Sequence, residues 1–140
     1  MSRFAFSILP LCVALGAGCS SQPGGELVDY HVTGGFSGNG DGTSLTLDTN
    51  GVGTRTTRSN GATPVQLEPA ALADLNAKIR AAQFATLHPT YGCNGCSDGY
   101  VYEIAVQSSG RHYEVSFDES SPYPDGLRAL LGTLKQLAPP

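Results

Sequence analysis

The sequence predicts an α+β domain: a mainly antiparallel sheet of about five strands in the order βββαββα, with two helices packed on one face. Three observations point there. Several segments alternate apolar and polar residues with period two, two others place apolar residues three and four apart, and each element therefore offers a single face to bury.

The first strand is carried by Val28, Tyr30 and Val32, alternating with Asp29, His31 and Thr33. After the stretch "TGGFSGNGDGTS" a second strand sets Leu45 and Leu47 against Ser44, Thr46 and Asp48. "TNG" at 49–51 is a tight-turn signal, because asparagine and glycine tolerate positive backbone angles. The threonine-rich "VGTRTTRS" that follows reads as an edge or strongly solvated strand. The period then changes: Leu72, Leu75, Ile79 and Ala82 mark an amphipathic helix of about four turns, with Pro69 where a first turn accepts proline. Tyr100, Tyr102, Ile104 and Val106 begin a strand pair that turns at "SSGR" and returns with Tyr113, Val115 and Phe117 inward. "SPYPDG" then introduces Leu127, Leu130, Leu131, Leu134 and Leu137, a second amphipathic helix that stops at Pro139 and Pro140.

Ahead of these elements, Arg3 precedes the apolar run "FAFSILPLCVALGAG" and Cys19, the layout of an export signal too short for a good membrane span. Gly16, Ala17 and Gly18 before Cys19 resemble a bacterial lipoprotein cleavage box, with Gly16 standing where leucine is usual. The expected organisation is a signal peptide over 1–18, a tether over 19–26 beginning with a lipidated Cys19, and one α+β domain over 27–138. Ordinary cleavage without lipidation is the alternative. Loss of 1–18 removes Arg3 and no acid, so the formal charge moves from −4 to −5. That balance excludes nucleic acid as a partner and leaves the lipid anchor as the expected membrane attachment.

The glycine loop invites four chemistries. A phosphate cradle needs a helix immediately after it, and "TSLTLDT" reads as a strand. Asn39, Asp41, Asp48 and Asn50 supply hard oxygens for calcium, without the spacing of a calcium loop. "GFSGN" lacks the last glycine of an esterase elbow, so Ser37 is a poor nucleophile, and His-Glu-x-x-His is absent. A long hairpin connection remains. In "YGCNGCSDGY", Cys93 and Cys96 read as a structural disulfide, over a redox dithiol or a zinc site completed by His88 or His112. His31, His88 and His112 read as solvated, and Tyr123, between two prolines, as part of a helix start in preference to a binding anchor. No catalytic residue, metal ligand or cofactor is expected.

The order of motifs resembles the emfourin family, small bacterial inhibitors of protealysin and other thermolysin-like metalloproteases. Gly34, Gly35, Phe36 and Gly38 carry the resemblance in the loop, Leu67, Pro69, Leu72 and Leu75 in the helix opening, and Pro124, Leu127, Leu130 and Leu134 in the last helix. The export signal and the Cys93/Cys96 loop depart from that pattern. The resemblance implies a non-enzymatic protein that blocks a thermolysin-like metalloprotease, whose cleft prefers a bulky apolar side chain. Phe36, within Gly34, Gly35, Ser37 and Gly38, is then the candidate contact, against a plain role as a hairpin plug. The alternative is an envelope lipoprotein of the same fold serving as a structural or interaction module.

Overall fold

The computed structural model describes residues 26–35, 42–92 and 99–140. They form a mixed sheet of seven strands and two α-helices, an α+β arrangement. Strand β1 is Glu26–Gly34, β2 Thr43–Asp48, β3 Val52–Thr57 and β4 Gly61–Gln66; helix α1 is Pro69–Ala81. A short 3-10 turn over Phe84–Thr86 leads to β5 (Thr90–Tyr91), followed by β6 (Tyr100–Ser108), β7 (Arg111–Asp118) and helix α2 (Asp125–Leu137). The strand order is β4-β3-β2-β1-β6-β7-β5, antiparallel throughout except for the β5–β7 pair.

The sheet has more strands than the expected five, and β4 and β5 account for the difference. β4 (GATPVQ) has exposed or half-buried residues throughout and contains Pro64, which weakens any strand pattern. β5 has only two residues and no room for an alternation. β3 is consequently not an edge: it is strongly solvated, as its threonines suggest, but β4 covers its outer side.

One face of the sheet is the core. Val28, Tyr30, Val32, Leu45, Leu47, Tyr102, Ile104, Val106, Val115 and Phe117 form a single cluster with Leu75 and Ile79 of α1 and Leu127, Leu130, Leu131 and Leu134 of α2. The period-two residues of four strands thus meet the 3.6-period stripes of both helices. Gly126 lies so close to the end of α1 that a Cβ there would sit 2.6 Å from the Ala81 carbonyl oxygen. The β6–β7 turn takes two residues with positive φ, Ser109 (54°) and Gly110 (73°), the geometry that matches a twisted hairpin. Among the described residues, no helix is long and apolar enough to cross a membrane.

The two ends of the sheet differ in what they carry. Because Gly34 pairs with Tyr100, Val32 with Thr43, Gly61 with Thr57 and Asp118 with Val101, one end bears the flanks of 36–41 and 93–98, the β3–β4 turn and the exit from β7. The start of β1, the β2–β3 turn and the β6–β7 turn lie at the other end.

Two outcomes test this packing. The Tyr30 side chain is fully buried and its hydroxyl has no hydrogen-bond partner among the described residues. Burial, with the nearby Glu119 charge, pushes its ionisation far up. Removing an unmade polar group costs nothing, so Tyr30→Phe is expected to leave the thermal midpoint unchanged or raise it; a loss above about 1 kcal/mol in chemical denaturation would contradict this. The second concerns the β4 edge. The Leu67 amide donates inward to Gly51, so by alternation Ala62, Pro64 and Gln66 turn their nitrogens to the open edge. Pro64 deletes the central donor there, which is how edges resist pairing with another chain. Pro64→Thr is expected to increase concentration-dependent self-association, read by sedimentation; a monomer unchanged across the same concentrations would rule out edge protection.

Candidate functional site

The loop-bearing end of the sheet begins with two glycines that no other residue could replace cheaply. Gly34 has φ 88° and Gly35 φ 82°, both in the left-handed region. A Cβ on Gly34 would stand 2.6 Å from the Gly99 carbonyl oxygen, and one on Gly35 would stand 2.9 Å from the Tyr100 ring. The Gly35 amide donates to that same Gly99 oxygen at 3.3 Å. The chain leaving β1 is therefore pinned against the chain entering β6, and the segments 36–41 and 93–98 depart from adjacent points.

Of the residues expected in the interface, Gly34 and Gly35 are thus placed, while Phe36, Ser37 and Gly38 lie outside the described residues. Cys93, Cys96 and the proposed lipid site Cys19 lie outside them too. The near flank of the cysteine segment is as tight as the other: Gly92 has φ 88°, and a Cβ there would meet the Asp118 carboxylate at 2.2 Å. Asp118 is buried, and its Oδ1 accepts from the Ser120 amide and from the Ser120 and Ser121 hydroxyls. That ordering of the turn after β7 gives the 93–98 segment a fixed point of departure.

Beneath this end runs an aromatic layer. Tyr30 stacks on Tyr102 at 6.4 Å, Tyr102 on Phe117 at 5.6 Å, and Phe117 packs on Tyr123 at 4.7 Å. Tyr100, which touches Gly35, sits 6.3 Å from Tyr102. Tyr123 is half-buried under Arg128, whose guanidinium lies 5.0 Å from its ring, in keeping with a helix start. The Tyr102 hydroxyl donates to Glu119, which also accepts from Lys135, and the Lys135 ammonium lies over the Tyr102 ring. Lys135 and then Tyr102 hold the Glu119 carboxyl below the ordinary glutamate range. Burial, followed by the bond to Glu119, pushes the Tyr102 phenol far up. Local patterning could not reveal this triad, because its members come from β6, a loop and α2.

The other titratable groups do not converge. Asp48 caps its own turn, accepting from the Asn50 and Val52 amides at 2.8 and 2.9 Å, and these bonds, Val52 foremost, keep its carboxyl below the usual range. Asp48 and Asn50 also lie at the far end of β2 from Gly42, about 20 Å away, so they do not join the loop's oxygens. Asn39 and Asp41 are outside the described residues. His31 is half-buried, 3.6 Å from Glu103. His112 is exposed, and His88 is exposed with its ring edge-on to Tyr91. His31, Glu103, His112 and Glu114 share the helix-free face with Asp29, Ser44 and Thr46, lining an open polar groove of about 470 Å³. Among the described residues, no group of three His, Cys, Asp or Glu side chains is arranged to hold a metal ion. The sequence does not announce this groove, because it is the ordinary polar half of the strand alternation.

No family model matches the chain, and no curated protein matches it.

Two measurements address this site. Gly34→Ala combines a left-handed φ with a backbone clash, and is expected to cost more than about 1 kcal/mol in chemical denaturation; a loss within a few tenths would mean that the junction with Gly99 yields. Glu119 binds its proton more weakly in the folded chain than in the unfolded one. Its contribution is therefore present above the unfolded value and is lost as pH falls through the depressed folded value. Glu119→Gln is expected to flatten the acid side of the stability curve, so that mutant and parent converge at low pH; parallel thermal midpoints at every pH would contradict this.

Proposed function

We propose that the protein is a non-enzymatic, emfourin-like inhibitor of a thermolysin-like, protealysin-type metalloprotease, exported and anchored to the cell envelope through lipidated Cys19. The observation that carries this reading is the geometry of Gly34 and Gly35, wedged against Gly99 and Tyr100 at the end of the sheet opposite the start of β1. An inhibitor must enter its target's cleft with a surface shaped beforehand, since ordering a loose segment on binding subtracts from affinity. A segment whose root is fixed by backbone packing meets that requirement at its base. In this reading Phe36 supplies the bulky apolar anchor, and a Cys93–Cys96 disulfide staples the neighbouring segment. A partner interface of this kind buries roughly 800 Å² on each side and concentrates its energy in a few large residues. The polar groove on the open sheet face favours a second reading, an envelope interaction module of the same fold without inhibitory activity.

Incubating the purified protein with a thermolysin-like protease separates the two readings. Stoichiometric loss of proteolysis is expected, and Phe36→Ala should weaken it by more than about 1 kcal/mol. Undiminished proteolysis, with slow digestion of the added protein, would sink the inhibitory reading. Inhibition that survives Phe36→Ala unchanged would remove Phe36 from the interface.

A further inference from the structure

We propose that the corner where β3 ends beside the C-terminus of α2 is a binding site for a small organic acid, one that carries a carboxylate on an apolar body. A pocket of about 380 Å³ opens there, lined by Arg55, Arg58, Ser59, Asn60, Pro139 and Pro140 together with Thr43 and Thr57. Its volume lies within the range of small-molecule sites. In a chain of net charge −4, two arginines share it, and no aspartate or glutamate is among the described residues of its lining. Among the described residues, the lysine and arginine ion pairs engage Lys78, Arg128 and Lys135, and neither of these arginines.

The Arg55 guanidinium is aimed rather than loose: its Nη1 donates to the Leu137 carbonyl at 3.3 Å. That bond uses one of five N–H donors and leaves the others for a ligand. The end of α2 contributes roughly half a unit of negative charge. The Thr43 hydroxyl is already committed, donating to the Pro139 carbonyl at 2.9 Å, whereas the Thr57 hydroxyl accepts from the Asn60 amide at 3.2 Å and keeps its own proton to donate. What remains for a ligand is a pair of planar forks suited to a carboxylate, the polar side chains of Thr57, Ser59 and Asn60, and two proline rings as apolar wall. This inference stands apart from the protease reading and survives its failure.

The test is an amide chemical-shift titration of the isotope-labelled protein with isovalerate, acetate, isopentanol and sodium chloride at matched ionic strength. Isovalerate is expected to give saturable shifts centred on Thr43 and residues 57–61, acetate weaker ones, and isopentanol and chloride none that saturate. Arg58→Gln is the deciding variant, because Arg58 is exposed and lies outside β3, whereas Arg55 also holds the end of α2. It should weaken isovalerate binding by about tenfold or more, with partial recovery in Arg58→Lys. Shifts that do not saturate, that chloride reproduces, or that Arg58→Gln leaves unchanged would each overturn the proposal.

Discussion

Two short helices must cover one face of a wide sheet, and most of the molecule follows from that mismatch. Seven strands at the usual spacing make a sheet about 29 Å wide, whereas each helix has 13 residues and so reaches only about 20 Å. The helices lie across the strands, and their contacts show it. α1 starts near the β2–β3 turn, where Leu72 stands against Gly51, and its far end borders the β6–β7 turn. α2 starts beside Phe117 through Tyr123 and ends at Thr43 and Arg55. The middle strands β2, β1, β6 and β7 are covered. β3 and β4 are not fully covered: the threonine-rich β3 has no buried residue, and β4 sets only the half-buried Val65 against the core.

The same constraint separates two kinds of surface at the loop-bearing end. Under the covered strands the aromatic layer from Tyr30 to Tyr123 backs the exits of β1 and β7, and Glu119 with Lys135 ties the turn after β7 to α2. Backbone leaving the sheet there has little freedom, as the close approaches at Gly34, Gly35 and Gly92 show. Over the uncovered strands there is nothing large to fill the corner, and an arginine reaching for the last helical carbonyls leaves a basic recess. Rigid exits and an open recess thus share one end of the sheet because the helices run out before the strands do.

How far this was legible depends on how local each signal is. β1, β2, β6 and β7 announce themselves by alternation, since each has one wet and one buried face, and Pro69 and the leucine spacing mark both helices. β4 hides because Pro64 belongs to an edge and because no face of it is buried. β5 is held by tertiary context alone, through the Ser116 amide on the Pro89 carbonyl. Of the candidate site, the need for glycine at 34 and 35 could be read from "TGGFSG". What makes those glycines necessary is Gly99 and Tyr100, more than sixty residues away. The Tyr102–Glu119–Lys135 triad and the arginine recess are long-range assemblies of the same kind.

The polarity of β1 gives the proposed anchoring a geometric consequence. A tether from Cys19 to Glu26 spans at most roughly 25 Å when fully extended, so an acyl group on Cys19 keeps the Glu26 end of the sheet close to the bilayer. β1 then runs about 27 Å before it reaches Gly34. Such a tether does not fix the orientation of the domain, but it holds the far end away on average, and a net negative chain gains nothing by lying against anionic headgroups. With such an anchor, the end held farther from the bilayer on average would be the one bearing Gly34, Gly92, the β3–β4 turn and the arginine recess. An anchor at that end instead would keep the candidate interface within a tether's length of the membrane. In the proposed anchoring, the direction of one central strand sets which end of the sheet is kept nearer the bilayer.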